Sequence, residues 1–287
     1  LGNPALDEVI QVAEEARLIS ERNLTQGGRE LDQDYERRAA LELSRPGGSG
    51  YLQDADPRTG YRIEVVRFDR ELQALVPDAL QGEVSVMDFV SGRSLNEVGD
   101  LRLRRALARQ IIVAELRSLF EIGRFDPDGH TGNWLIDIDG RRLVRIDVAQ
   151  YRAFDPAQLE AVRNLFGELA HPDIARIDVS RRTRAAGTLV QFSSTPRDLE
   201  SIVRTALSSA DFPVAFNPVE RVFALRARVQ EALSSRLGTS ETVRLTPELQ
   251  DAVSSLGRIR LYSETVGEVA LARSYARAVG ASEVEWA

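Results

Sequence analysis

The chain has 287 residues, enough for one large domain or two lobes with a sizeable core, and its apolar and charged fractions are those of an ordinary globular protein. A net charge of -7 argues against a general nucleic-acid binder. The absence of cysteine removes disulfides, thiolate catalysis and cysteine-based metal sites together.

No apolar run approaches the roughly 20 residues that span a bilayer, and there is no signal peptide, so a cytoplasmic protein is expected. The chain opens on Leu1 rather than Met, which suggests a piece cut from something longer. Any membrane association would come from a segment outside it. All 37 basic residues are arginine. That fits a GC-rich genome. It also fits selection against ubiquitination in a secreted bacterial effector. In either case no lysine of this chain holds a phosphate, and arginine differs from lysine in shape and hydration.

Residues 4–24 place Leu6, Val9, Ile10, Val12, Ala13, Ala16, Leu18 and Ile19 at helical spacing, and a second helix is expected over 29–44. A Gly/Pro-rich loop follows, from Arg45 to Gly60. Residues 61–68 and 83–90 alternate as strands do, and Ser91-Gly92 ends the second. From about 99 to 122 runs a long amphipathic helix, with Leu101, Leu107, Ile111, Leu116, Leu119 and Phe120 on its buried stripe and Gly123 as its stop. Residues 134–138 and 142–148 flank Asp139-Gly140, the signature of a hairpin with a type I′ turn. Asp155 and Pro156 then cap and open a helix running to about Ala170. Residues 172–287 read mostly as helix with Ser/Thr/Pro/Gly breaks. A lobe boundary is expected near residue 91.

Between the long helix and the hairpin lies a loop too polar for a core, Asp128-Gly129-His130-Thr131-Gly132-Asn133. The hairpin then delivers Asp147 at the end of its second strand. This order suits phosphoryl transfer, which needs positioning and charge neutralisation more than covalent work. Asp128 is the candidate that orients an acceptor and takes its proton. Asn133 and Asp147 are candidate magnesium ligands, offering the hard oxygen donors that Mg²⁺ prefers. His130, counted among the cofactor-binding candidates, reads as a tether for the loop rather than a base, and Trp134 as packing beneath it. Asp126, Asp137 and Asp139 read as solvated turn residues. His171, beside Pro172, reads as exposed or capping.

Taken together, these segments resemble the ABC1/UbiB/AarF atypical kinase family over most of the first 175 residues. Pro127-Asp128-Gly129-His130-Thr131-Gly132-Asn133 aligns without a gap on that family's Ala-Asp-Pro-His-Pro-Gly-Asn loop, and residues 116–125 resemble the helix that precedes it. Residues 84–95 resemble its hinge strand, which implies that Met87, Asp88, Phe89 and Val90 lie beside an adenine. Residues 147–173 resemble its metal-aspartate segment and the next helix. The first two helices resemble its first-lobe helices, which puts Glu36 in the role of the glutamate that pairs with a phosphate-binding lysine. The family's nucleotide loop and lysine are not found in this sequence. Its Asp-Phe-Gly is Asp147-Val148-Ala149 here, and its histidine before the loop is Asp126. Arg67 follows Glu36 in the chain, the wrong order for a lysine surrogate, and reads as surface strand.

The resemblance implies an α+β, bilobal protein-kinase-like fold. A small, incomplete N-lobe would occupy residues 1–91 and a mainly helical C-lobe residues 92–287. It implies ATP and Mg²⁺ as cofactors, a nucleotide partner, and a lipid, small-molecule or protein substrate in quinone or lipid metabolism. Two other readings stand beside this one: a pseudokinase or scaffolding module, and an aminoglycoside-phosphotransferase-like small-molecule kinase, which shares the Asp-x-His-x-Gly-Asn core.

Overall fold

The computed structural model describes residues 40, 41, 43, 54–68, 70–77, 86–127, 129–148, 151–169, 190–192, 218–237, 243–259 and 262–278. The first predicted helix, Glu36, Asp128 and His171 lie outside them. Within them the architecture is mixed, with three small sheets among helices, and is compatible with a kinase-like fold.

The centre is helix α2 (Leu101–Arg117), entered after strand β1 (Arg62–Val65) and the short α1 (Arg70–Gln73). Asp100 starts α2 by accepting from Arg102 N and Leu103 N, which satisfies amide groups that have no partner in a first turn. A wider π-type turn, Ser118–Ile122, continues it, and Gly123 stops it in the left-handed conformation at φ 78°. The expected helix and its glycine stop are both present. Leu107, Ile111, Leu116, Leu119 and Phe120 are buried, whereas Leu101 is 59% exposed. Leu101 sits in the first turn, before the helix has reached its packing partners.

Strand β2 (Arg124–Phe125) pairs antiparallel with β5 (Arg152–Ala153). Between them lies the hairpin of β3 (Trp134–Asp137) and β4 (Arg142–Arg145). β1 joins β4 in parallel, giving the order β1-β4-β3, so this sheet has members on both sides of residue 91. The hairpin loop departs from the type I′ expectation. It holds four residues, 138–141, and the positive φ falls on Arg141 rather than on Asp139 or Gly140. The Asp137 carboxylate explains the longer loop: its Oδ1 accepts from Gly140 N at 2.8 Å and its Oδ2 from Arg142 Nη2 at 2.6 Å.

The strand expected over 83–90 is reduced, where described, to a single bridge between Met87 and Phe68. Gln73 Oε1 accepts from Val86 N at 2.8 Å, so a side chain supplies a partner that a longer ladder would have supplied. Helix α3 (Pro156–Leu169) begins as expected: Asp155 Oδ1 accepts from Gln158 N at 2.8 Å, and Gln158 Oε1 accepts from Asp155 N at 3.0 Å.

Beyond α3, the chain is not helix alone. Strands β6 (Val190–Phe192) and β7 (Val243–Leu245) pair antiparallel around α4 (Pro218–Leu237), before α5 (Pro247–Ile259), α6 (Ser263–Val266) and α7 (Glu268–Ala278). Three-residue strands are too short for alternation to reveal. α6 and α7 pack on α2, and Tyr275 meets Phe120 edge-to-face at 5.4 Å while Phe120 meets Phe166 at 5.6 Å. One hydrophobic cluster therefore runs from β1 through α2 to α7. Among the described residues, no helix is long and apolar enough to cross a membrane.

Candidate functional site

Gly123 hands the chain from α2 to the polar loop. Its carbonyl accepts from Phe154 N at 2.8 Å, extending the β2–β5 pairing by one bond and bracing both ends of the segment that contains the loop and hairpin. The loop then turns: Gly129 N donates to Asp126 O at 3.2 Å. His130 caps the next single turn of 3-10 helix, Thr131–Asn133. Its Nδ1 accepts from Gly132 N at 3.1 Å, and its carbonyl accepts from Asn133 N at 3.0 Å. His130 thus has the tethering role expected of it.

Asn133 is buried and begins the hairpin. Ile146 N donates to Asn133 O at 3.0 Å, one step beyond the Trp134–Arg145 pair. This extra rung sets Asn133 opposite Ile146, the residue before Asp147. The hairpin therefore returns Asp147 to the same end of the sheet as the polar loop. Asp147 itself is exposed there. Among the described residues, no three carboxylate or histidine side chains form a metal-binding group.

Of the residues expected to form a hinge, Met87 is bridged to Phe68, and Asp88 N donates to Arg67 O at 2.8 Å. Phe89 is 91% exposed. Close by, Arg93 and Ile136 exchange backbone hydrogen bonds, joining the segment after Val90 to β3. A methyl group on Gly92 would lie 2.8 Å from Leu135 Cβ, so this approach requires glycine. Arg67 is exposed as expected, but it lies two residues beyond the end of β1 rather than within a strand.

Two aspartates differ from expectation. Asp126 is not a solvated turn residue: it is 2% exposed and pairs with Arg145 Nη2. Asp137 is also buried. It keeps the capping bond of a turn but adds the ion pair with Arg142, and these bonds, that from Gly140 N foremost, hold its carboxyl below the ordinary carboxylate value. Asp139 is exposed, as expected.

The sequence reading missed the partners of Asp126. Arg145 is fully buried and its Nη1 lies 3.3 Å from Glu115 Oε1 on α2. Glu115 Oε1 also accepts from Trp134 Nε1 at 3.1 Å, and the Arg145 guanidinium lies 5.7 Å from the Trp134 ring centre. Trp134 is buried, as expected. Tyr262 joins this surrounding from the far end of the chain: burial first, then the nearby Glu115 charge, push its phenol above its ordinary value. A signal was present. Glu115 follows Ile111 by four residues on the buried stripe, and Arg145 shares the inward side of its strand with Leu143.

Residues 74–180 match the ABC1 atypical kinase-like domain. The match takes in Met87 to Val90, α2, the polar loop, the hairpin and α3, so the ABC1 likeness drawn from those motifs is borne out over this segment, and the two helices expected before residue 45 lie outside it. No curated protein matched the sequence.

Proposed function

We propose that this chain is a UbiB/AarF-type, ATP- and Mg²⁺-dependent phosphotransferase or ATPase acting on a lipid, small-molecule or protein substrate. The observation that carries the reading is the rung from Ile146 N to Asn133 O at 3.0 Å. It supports a site at the open end of the hairpin, where the backbones of Asn133 and Asp147 lie at neighbouring positions of one ladder. Oxygen donors of this kind fit Mg²⁺. Asn133 and Asp147 would hold the ion, which when bound neutralises phosphate charge. Asp128 would orient the acceptor hydroxyl or water and take its proton as the bond to phosphorus forms. His130 keeps the loop closed on Asn133. Met87, Asp88, Phe89 and Val90 would lie along the adenine, and Glu36 would organise the first lobe.

The test is thermal melting. Mg-ATP is expected to raise the melting temperature of the wild type, and Asp147→Asn is expected to abolish the rise. No rise in the wild type would end the nucleotide reading. A second reading, a nucleotide-binding pseudokinase, draws support from Asp147-Val148-Ala149 in place of Asp-Phe-Gly. It predicts the same Mg-ATP shift with no phosphate released or transferred.

A further inference from the structure

Arg145, Asp126, Glu115 and Trp134 form a cluster that the proposed chemistry does not use directly. Asp126 lies two residues before Asp128, Arg145 two residues before Asp147, and Trp134 immediately after Asn133. Each candidate site residue therefore has a member of the cluster within two positions of it. The fourth member, Glu115, belongs to the central helix. The four side chains join α2, the polar loop and both strands of the hairpin at a single guanidinium.

Stability alone gives a weak account of this arrangement. Arg145 is 0% exposed, Asp126 2% and Glu115 7%. Taking such charges out of water costs several kcal/mol per ion, and well-packed apolar side chains of similar volume usually serve a core as well or better. A buried network of this kind does, however, fix directions in space. The planar guanidinium projects its nitrogens at set angles, so Nη2 meets Asp126 while Nη1 meets Glu115. The loop also passes close above it. A methyl group on Gly129 would lie 3.2 Å from Asp126 O and 3.4 Å from Arg145 Nη2.

We propose that Arg145, gripping Asp126 and Glu115, is a positioning residue that sets the loop bearing Asp128 and Asn133 in register with the strand end bearing Asp147, and so tunes the affinity for metal-bound nucleotide. The inference rests on the Mg-ATP reading above. Lysine cannot replace arginine here, because one ammonium on a flexible stem cannot hold both carboxylates in the same fixed geometry.

The test uses the full chain as Asp126→Asn, Arg145→Lys and, as a purely apolar control, Leu143→Ala, a buried residue on the same strand. Dissociation constants for ATP are measured with and without Mg²⁺, at a temperature where circular dichroism shows each variant folded. Asp126→Asn and Arg145→Lys are expected to weaken Mg-ATP binding by about 10-fold or more, the range seen when groups supporting metal ligands are altered. Binding of metal-free ATP should change much less. Leu143→Ala should lower the melting temperature while leaving the constants near wild type. Folded Asp126→Asn and Arg145→Lys variants with wild-type Mg-ATP affinity would overturn the inference and leave the nucleotide reading standing. No Mg-ATP binding by the wild type would overturn both. Should Arg145→Lys not fold, the nearly isosteric Asp126→Asn decides, since its amide oxygen still accepts a hydrogen bond.

Discussion

Replacing Gly123 with alanine tests how the long helix is joined to the candidate loop. Gly123 holds φ 78°, where an L-residue is strained by about 1 kcal/mol or more. The added methyl would stand 3.0 Å from Leu159 Cδ2 and 3.3 Å from Leu159 Cδ1. Leu159 is half-buried and can yield in part, so the crowding adds about 1 kcal/mol. The sum, about 2 kcal/mol, corresponds to a melting temperature lower by roughly 4–8 °C for a protein of this size. Gly257 is the control. It lies within α5, and a methyl group there would meet nothing within 4 Å. Gly257→Ala should therefore stabilise by about 0.5–1 kcal/mol. Differential scanning calorimetry of the two variants should show shifts of opposite sign. A Gly123→Ala variant melting with or above the wild type would refute the left-handed stop and the packing on Leu159.

Two further substitutions probe other joints of the fold. Phe120→Ala removes the ring shared by Phe166 and Tyr275, and should cost about 3–5 kcal/mol in urea unfolding, since α2, α3 and α7 meet there. A loss under about 1 kcal/mol would mean that α7 does not belong to this core. Asp137 has its folded-state pKa lowered, so its contribution is present above the ordinary carboxylate value and fades as pH falls through the lower folded value. Between about pH 7 and about pH 3 the wild type should lose more stability than Asp137→Asn. Parallel urea midpoints over that range would contradict the Asp137–Arg142 clamp.

Much of this was legible in the sequence. The 3.6-residue period and Gly123 mark α2 and its end, because both are local properties of the chain. Asp155 and Pro156 mark the start of α3 for the same reason. The hairpin was legible from Asp139-Gly140, but its loop type was not. Asp137 captures Gly140 N and Arg142 together, and that choice depends on side chains that turn propensities ignore. Where described, the strand expected over 83–90 is a single bridge at Met87, because the Gln73 side chain takes up the Val86 amide. The burial of Asp126 was hidden for a comparable reason. An aspartate beside a proline in a polar loop looks solvated until a distant arginine is brought beneath it, and Arg145 lies 19 residues away in the chain. The candidate site divides along the same line. His130 acts through neighbours two and three residues away, whereas the rung between Asn133 and Ile146 and the return of Asp147 depend on hairpin register.

Calorimetric titration of ATP into the full chain, with and without Mg²⁺, in wild type and Asn133→Ala, tests the central claim most directly. The account predicts that Mg²⁺ strengthens ATP binding to the wild type, and that Asn133→Ala loses about 10-fold or more of that gain while metal-free ATP binds much as before. Mg-ATP affinity unchanged by Asn133→Ala, or the absence of any binding heat with the wild type, would contradict it.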